Sequence, residues 1–190
     1  MYRAALHGIG TTGLIAVYSN TDTSWNTQLA KGQQAELRVA DYYIRRGFIA
    51  AIIRGHCSEA DIIIKKGGNY WTVEIKDCAG AFKYGYFPVE LSYKGRPSGL
   101  ETTGADIWAF VAGNEAYAIA TPKLRELIGD GGYETKAMCG GQTRCWLVPI
   151  ADVEACGKRL KLMPPDAISR PWKQRWPSGR QVGHPKKGEP

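Results

Sequence analysis

The segment that decides the fold reads DIIIKKGGNYWTVEIK and occupies residues 61–76. Its two apolar stretches are separated by Lys-Gly-Gly-Asn at positions 66–69, a composition typical of a tight turn. The pattern predicts a β-hairpin with strands over 60–65 and 70–76. Three consecutive isoleucines at 62–64 are typical of a strand covered on both faces, so we expect the hairpin to lie inside a larger sheet.

The elements around this hairpin predict an α/β domain. Upstream, the sequence predicts a helix over 28–46, ended by Gly47, and a strand over 48–54 that forms a three-strand meander with the hairpin. Downstream, it predicts a short helix over 122–128 and strands over 107–112, 116–120 and 145–150. This order predicts an α/β fold with a mixed central β-sheet flanked by helices.

Charge and composition predict one domain with two flanking segments. The chain has 190 residues and a formal net charge of +7. We expect an N-terminal arm at 1–26 with one short strand over 14–18, a domain at 27–163, and a basic, Pro- and Trp-containing flexible tail at 164–190. The tail has two interpretations: it follows a phosphate backbone while its tryptophans stack on unpaired bases, or it docks those tryptophans onto the domain.

Several classes of protein are excluded by composition and motifs. With 44% hydrophobic and 23% charged residues, the chain is neither wholly disordered nor collagenous. Its apolar runs fall far short of the roughly 20 residues that a membrane-spanning helix needs, so we expect no membrane partner. Five scattered cysteines without a C-x-x-C pair predict neither a disulfide framework nor a zinc site. The phosphate-cradling glycine motifs are missing too, so we expect no nucleotide cofactor.

Two carboxylates and a lysine are expected to meet at one edge of the predicted sheet. Asp61 opens the first strand of the hairpin, and the period of two places Glu74 and Lys76 on the same face of the second. Hard cations such as Mg²⁺ take one or two carboxylates plus phosphate and water oxygens. The lysine can orient or deprotonate an attacking water beside the metal. The cluster therefore predicts phosphodiester hydrolysis.

Glu36 extends this set from the first predicted helix. It shares a stripe with Leu29, Ala40 and Tyr43, which should face the sheet. An acid on a buried stripe needs a partner, because an unpaired buried carboxylate is costly. Taken singly, each of these residues also fits a structural role, since a Glu-x-Lys pair on a strand is commonly a surface ion pair.

The ordered combination resembles a known family. Lys-Gly-Gln-Gln-Ala-Glu at 31–36, Gly-Phe at 47–48, Asp-Ile-Ile-Ile at 61–64 and Val-Glu-Ile-Lys at 73–76 look like the core of the PD-(D/E)XK nuclease superfamily. The first helix and the spacing are most similar to archaeal-type Holliday-junction resolvases and related small endonucleases. The resemblance covers residues 28–80 and implies a restriction-endonuclease-like αβββαβ core, with a return helix and strand over 99–108. Ala60 departs from the family's usual proline, and a glutamine–tyrosine motif of the exonuclease kind is missing after Lys76.

The resemblance also implies roles for individual residues. Glu36, Asp61, Glu74 and Lys76 would be the catalytic set. Asp61, Glu74 and the backbone carbonyl of Ile75 would bind Mg²⁺, or Mn²⁺ in its place, with Glu36 contacting the metal through water. Water would attack the phosphorus in line and leave a 5′-phosphate and a 3′-hydroxyl. Asp106 and Glu90 are candidate accessory acids, and Asp106 also fits a cap at a strand entrance.

The implied partner is DNA, branched or duplex. Candidate nucleic-acid contacts combine the turn before Asp61, the basic and tyrosine-rich connection, and the tail: Arg54, Ser58, Lys83, Lys94, Arg96, Trp172, Lys173, Arg175 and Trp176. We expect a homodimer, because cutting both strands of a junction calls for symmetry, and a cytoplasmic or nucleoid-associated location without secretion. The alternatives are a restriction- or homing-type sequence-specific endonuclease, a non-catalytic nucleic-acid-binding protein on a nuclease-like fold, and a nuclease directed at RNA.

Overall fold

The computed structural model describes residues 14–17, 28–53 and 60–168. Most of the predicted arm at 1–26 and the part of the predicted tail beyond residue 168 lie outside this range. The strands are Leu14–Val17 (β1), Ile49–Ile53 (β2), Ile62–Lys66 (β3), Asn69–Asp77 (β4), Tyr86–Tyr93 (β5), Arg96–Pro97 (β6), Ile107–Ala112 (β7), Glu115–Ala120 (β8), Thr135–Met138 (β9), Thr143–Pro149 (β10) and Lys158–Lys161 (β11). The helices are Gln28–Ile44 (α1), Ala81–Tyr84 (α2), Thr121–Gly131 (α3) and Ile150–Cys156 (α4), with a 3₁₀ turn at Gly99–Glu101.

The strands form two sheets. The larger sheet has the order β1-β2-β3-β4-β7-β8-β11, and the second has the order β6-β5-β10-β9. The β1/β2 and β4/β7 pairs of the larger sheet are parallel, whereas β2, β3 and β4 form an antiparallel meander. The predicted mixed central sheet flanked by helices is therefore confirmed.

The larger sheet is covered by α1 on one face and, at β7 and β8, by the second sheet, α3 and α4 on the other. At β3 the second face is open, since Ile63 is 37% exposed between the buried Ile62 and Ile64, so the expectation of a strand covered on both faces is wrong. Helix α1 buries Val39, Ala40 and Tyr42 against one face, where Val73 and Ile75 of β4 lie. The opposite face carries the aromatic rings of Trp108 and Phe110 on β7 and of Tyr117 on β8. The second sheet, α3 and α4 cover these rings with Phe87, Val89, Val148, Leu124 and Val153. Burial of these apolar groups supplies the main favourable free energy of folding.

The largest difference from the sequence-based prediction lies between β4 and β7. The predicted return helix over 99–108 is reduced to the 3₁₀ turn Gly99–Glu101, followed by β7 from Ile107. The connection instead folds into α2, β5 and β6, and β5 pairs with β10 in the second sheet. Strands β9 and β11 and helix α4 were also not predicted. Within 28–53 and 60–168, no helix is long and apolar enough to cross a membrane.

Candidate active site

The candidate site lies where β3 begins, at Asp61 between β2 and β4, and we call this position the mouth of the site. Strand β3 begins opposite Val73, whereas β4 continues to Asp77 alongside β7. Ile75 therefore lies beyond the end of β3, and its N–H donates to Oδ2 of Asp61 at 2.6 Å. The Asp61 N–H donates to the Val73 carbonyl at 3.0 Å, and the Asp61 carbonyl accepts from the Ile53 N–H at 2.8 Å. The carboxylate is thus held at a fixed position between β2 and β4.

Glu74 and Lys76 lie beside this mouth on one face of β4. The Lys76 Nζ donates to Oε1 of Glu74 at 2.7 Å, and the two side chains are 32% and 17% exposed. Trp108, the residue opposite Glu74 in the parallel β4/β7 register, places its ring centroid 5.2 Å from the Lys76 Nζ. The ammonium is consequently held between a carboxylate and the face of an indole, both of which favour a cation.

The charge on Lys76 is set by opposing effects. Burial lowers the pKa of Lys76, but the charge and hydrogen bond of Glu74, together with the charges of Asp61 and Glu90, outweigh burial and raise the pKa above its usual value. Lys76 is therefore an ammonium at neutral pH in this arrangement. In that state it can orient water or stabilise negative charge, and it cannot accept a proton.

Glu90 is the acid whose position the sequence did not establish. It lies on β5 of the second sheet, and its Oε1 accepts a hydrogen bond from the Ser98 Oγ at 2.5 Å. Gly99 packs directly against it: a Cβ at Gly99 would lie 2.5 Å from the Glu90 carbonyl, and its φ is +57°. The Ser-Gly pair at 98–99 therefore fixes Glu90, although in the sequence it reads as an ordinary turn.

Asp106, the other candidate accessory acid, joins two strands of the larger sheet. Its Oδ2 accepts hydrogen bonds from the backbone N–H of Thr72 at 2.8 Å and from the Thr72 hydroxyl at 2.9 Å. These bonds connect the start of β7 to β4, which agrees with the interpretation of Asp106 as a cap at a strand entrance.

Glu36 lies in a different layer from the E-x-K pair. It is half-buried on α1, which packs on the Val73 and Ile75 face of the larger sheet. Alternation along β4 places Glu74 and Lys76 on the opposite face. The structure thus brings together Asp61, Glu74 and Lys76, while Glu36 belongs to the helix layer.

Three of the predicted nucleic-acid contacts lie within the described residues, at two places. Lys83 is exposed on α2, and its Nζ lies 5.3 Å from the Tyr84 ring centroid. Lys94 and Arg96 are exposed at the β5–β6 turn, where the Lys94 Nζ lies 5.1 Å from the Tyr93 ring centroid. The remaining candidates lie outside the described residues: Arg54, Ser58, Trp172, Lys173, Arg175 and Trp176.

The carboxylate oxygens at the mouth fit a hard cation, such as Mg²⁺, that takes most of its ligands from water and substrate. Among residues 28–53 and 60–168, no three His, Cys, Asp or Glu side chains are grouped so that they could hold a metal ion by themselves. Mg²⁺ does not need such a cage, because it retains several waters and uses one or two carboxylates plus substrate phosphate. Asp61 and Glu74 supply carboxylates of that kind, and the Ile75 carbonyl lies between Glu74 and Lys76 in the chain.

Comparisons with known proteins identify no family for this chain. No protein-family model matches the sequence, and no curated protein matches it. Among solved structures, the chain is similar to Hjc, a Holliday junction resolvase from the archaeal hyperthermophile Archaeoglobus fulgidus. The sequence identity is 14% and the TM-score is 0.41, with 67% of this chain and 90% of that chain covered.

Proposed function

We propose that the protein is a metal-dependent nuclease of the PD-(D/E)XK type that hydrolyses phosphodiester bonds in DNA. The observation that carries this proposal is the arrangement at the mouth of β3 and β4. Asp61 is fixed by the Ile75 N–H at 2.6 Å, directly beside the 2.7 Å Glu74–Lys76 pair. Two carboxylates and an ammonium on one sheet edge match the needs of phosphoryl chemistry, in which negative charge must be both bound and balanced.

Each side chain has a distinct task in this proposal. Asp61 and Glu74, with the Ile75 carbonyl, would hold Mg²⁺ or Mn²⁺. The bound cation supplies charge stabilisation for the phosphate and lowers the pKa of water. Lys76, kept protonated by its acidic neighbours, orients the attacking water and neutralises charge on the phosphate. The Trp108 ring, whose centroid lies 5.2 Å from the Lys76 Nζ, helps to hold the lysine in place.

Branched DNA is the preferred substrate within this proposal. The net charge of +7 supports binding to any nucleic acid through counterion release. The resolvase-like first helix and motif spacing favour a junction, and two coordinated cuts across a junction call for a homodimer. We place the activity in the cytoplasm or at the nucleoid, where such DNA occurs.

The test compares three labelled substrates of matched sequence: a four-way junction, a linear duplex and a single strand. Each is incubated with wild type in Mg²⁺, in Mn²⁺ and in EDTA, and also with Glu74→Ala and Lys76→Ala. Glu126→Ala is the matched control, because Glu126 accepts from Lys123 at 2.7 Å on the exposed face of α3, the same N–O distance as in the Glu74–Lys76 pair.

We expect metal-dependent paired nicks in the junction that both site variants lose and the control retains. Cutting of the linear duplex at fixed sites would change the assignment to a restriction- or homing-type endonuclease. Binding without cleavage in either metal, unchanged in the variants, would reject a nuclease and leave a nucleic-acid-binding protein.

A further inference from the structure

A cleft opens immediately beyond the proposed active site. It has a volume of about 470 Å³, within the range of small-molecule sites. It lies between the segment that follows β4 and the second sheet. Its lining combines aromatic, apolar and charged groups, notably Asp77, Cys78, Tyr84, Tyr86, Pro88 and Lys136. We call it the tyrosine cleft.

Two stacked tyrosines form one wall of the tyrosine cleft. The rings of Tyr84 and Tyr86 are 6.0 Å apart between centroids, and their planes differ by 26°. Tyr84 is nevertheless 59% exposed, so most of its ring faces solvent. Gly80 contributes to this position, because a Cβ there would come within 3.0 Å of the Tyr84 ring. Gly80 thus supports one edge of the ring (Cδ2 and Cε2) and Tyr86 is offset from it, so the exposed Tyr84 ring is held in position with surface available for stacking.

The tyrosine cleft is continuous with the catalytic strand. Cys78, which lines it, lies two residues after Lys76, so alternation places both side chains on the same side of the chain, and they are close enough for the charge of Lys76 to act on the Cys78 thiol. The Cys78 N–H donates to the Val111 carbonyl at 2.7 Å, which anchors this wall to β7. A strand whose phosphate lies at Lys76 would therefore carry its neighbouring nucleotide to the edge of the tyrosine cleft.

The charges around the tyrosine cleft suit a phosphate-linked chain. Lys136 of β9 lines it, and Lys83 lies beside Tyr84 with its Nζ 5.3 Å from that ring. Asp77 is the acidic residue in the lining. Ammonium groups beside exposed aromatic rings are typical of surfaces that bind single-stranded nucleic acid, where the bases stack and the backbone meets positive charge.

We propose that the tyrosine cleft receives an unpaired base of the DNA strand that is cut. The inference rests on the proposed function and makes it more specific: the substrate has an unpaired nucleotide next to the scissile phosphodiester. The base stacks on Tyr84, and Lys136 contacts its phosphate. Duplex DNA enters poorly, because its bases are already stacked on one another.

The test measures binding in EDTA, so that cleavage plays no part. The probe is a fluorescent single-stranded oligothymidylate of about ten nucleotides, within the site sizes of single-strand binders. A blunt duplex and an abasic sugar-phosphate oligomer of equal length are the comparison ligands. The abasic oligomer keeps the charge and removes the bases, and it therefore separates stacking from phosphate binding.

Three variants define the role of the ring. Tyr84→Ala should weaken binding of the oligothymidylate about tenfold or more, as expected for the loss of one base–aromatic stack. Tyr84→Phe keeps the ring and should bind as wild type does. Tyr70→Ala is the matched control, since Tyr70 is 70% exposed at the far end of β4, and it should leave binding unchanged. Equal thermal midpoints will show that all three variants are folded.

The outcomes separate this inference from the nuclease proposal. Wild-type binding of oligothymidylate by Tyr84→Ala, or equal affinity for the abasic oligomer, would overturn the base site even if the protein cuts DNA. Weakened binding by Tyr84→Ala, restored in Tyr84→Phe, would support the base site even if no cleavage occurs, and the nuclease proposal would then fail on its own test.

Discussion

The two faces of β4 differ in polarity: one carries Val73 and Ile75, and the other carries Glu74 and Lys76. Val73 is 0% exposed and Ile75 is 8% exposed, and both pack under α1. Glu74 and Lys76 alternate with them and form a half-buried ion pair on the opposite face. A half-buried ion pair adds little to folding stability, since desolvation offsets the attraction. The apolar face therefore explains why the strand is stable, and the polar face is the one to which we assign a chemical role.

We expect the largest effect from removing the charge of Asp61, beside the polar face of β4, while keeping its hydrogen bond from the Ile75 N–H. Asp61→Asn still offers an oxygen to the Ile75 N–H but loses the charge. We expect single-turnover cleavage to fall about a thousandfold, since charge stabilisation at a metal site contributes several kcal/mol to the transition state. Thermal unfolding should change by less than about 2 °C, the shift expected for a few tenths of a kcal/mol. Cleavage within fivefold of wild type would contradict the assigned role of Asp61.

The apolar face should respond in the opposite way. Val73→Ala removes two carbon atoms from a fully buried site and should destabilise the protein by about 2 kcal/mol, measured by urea unfolding. The rate of cleavage per folded molecule at 25 °C should stay unchanged. A large loss of activity with little loss of stability would mean that the two faces are not separate in function.

Alkaline pH should lower the stability of the packing on both sides of the larger sheet, because each side buries a group that titrates at alkaline pH: Tyr43 on one and Cys78 on the other. Burial, aided by Asp77, raises the pKa of the Cys78 thiol to about 12, and burial raises the pKa of Tyr43 on α1 to about 12. In the unfolded chain these groups titrate near their ordinary values of about 8.5 and 10. Between about pH 9 and 12 the unfolded chain therefore releases protons that the folded protein retains, and stability falls as pH rises.

This prediction is checked by urea unfolding midpoints at pH 8 and pH 10. The midpoint of wild type should fall over this interval, and Cys78→Ala should reduce the fall. An identical pH dependence in the variant would show that Cys78 does not keep its proton in the folded state.

The smallest effect is expected from an ion pair of equal length outside the site. Arg45, directly after α1, donates to Asp41 of α1 at 2.7 Å, the same N–O distance as in the Glu74–Lys76 pair. Asp41→Asn should cost about 0.3–0.5 kcal/mol of stability and leave cleavage unchanged. A comparable loss of cleavage in this variant would remove the distinction between the catalytic pair and an ordinary helical pair.

The meander was predictable because its signals are local. The Gly-rich turn at 66–69 and the two apolar stretches beside it locate the hairpin, and β4 begins and ends within one residue of the predicted bounds. The second sheet was not predictable in this way. Strand β5 contains Pro88, and its partner β10 lies about 50 residues further along the chain, so no short-range pattern shows the pairing.

The candidate site likewise combines residues that local sequence signals brought together with residues that only the tertiary structure places. Asp61, Glu74 and Lys76 come together because the hairpin register, which pairs Ile62 with Val73, places them at one edge. Glu90 reaches the neighbourhood of Lys76 only through the second sheet and the close approach of Gly99. For Glu36, helical periodicity predicted its place on the half-buried stripe of α1, and its catalytic role stays a prediction.

The most direct test of the central claim is single-turnover cleavage of a labelled four-way junction by wild type and by Glu74→Gln, in Mg²⁺ and in EDTA. Glu74→Gln keeps the size of the side chain and removes its charge beside Lys76. The account predicts cleavage by wild type in Mg²⁺ alone and a loss of about a thousandfold in the variant at an unchanged thermal midpoint. Equal cleavage by the two proteins, or cleavage by wild type in EDTA, would contradict it.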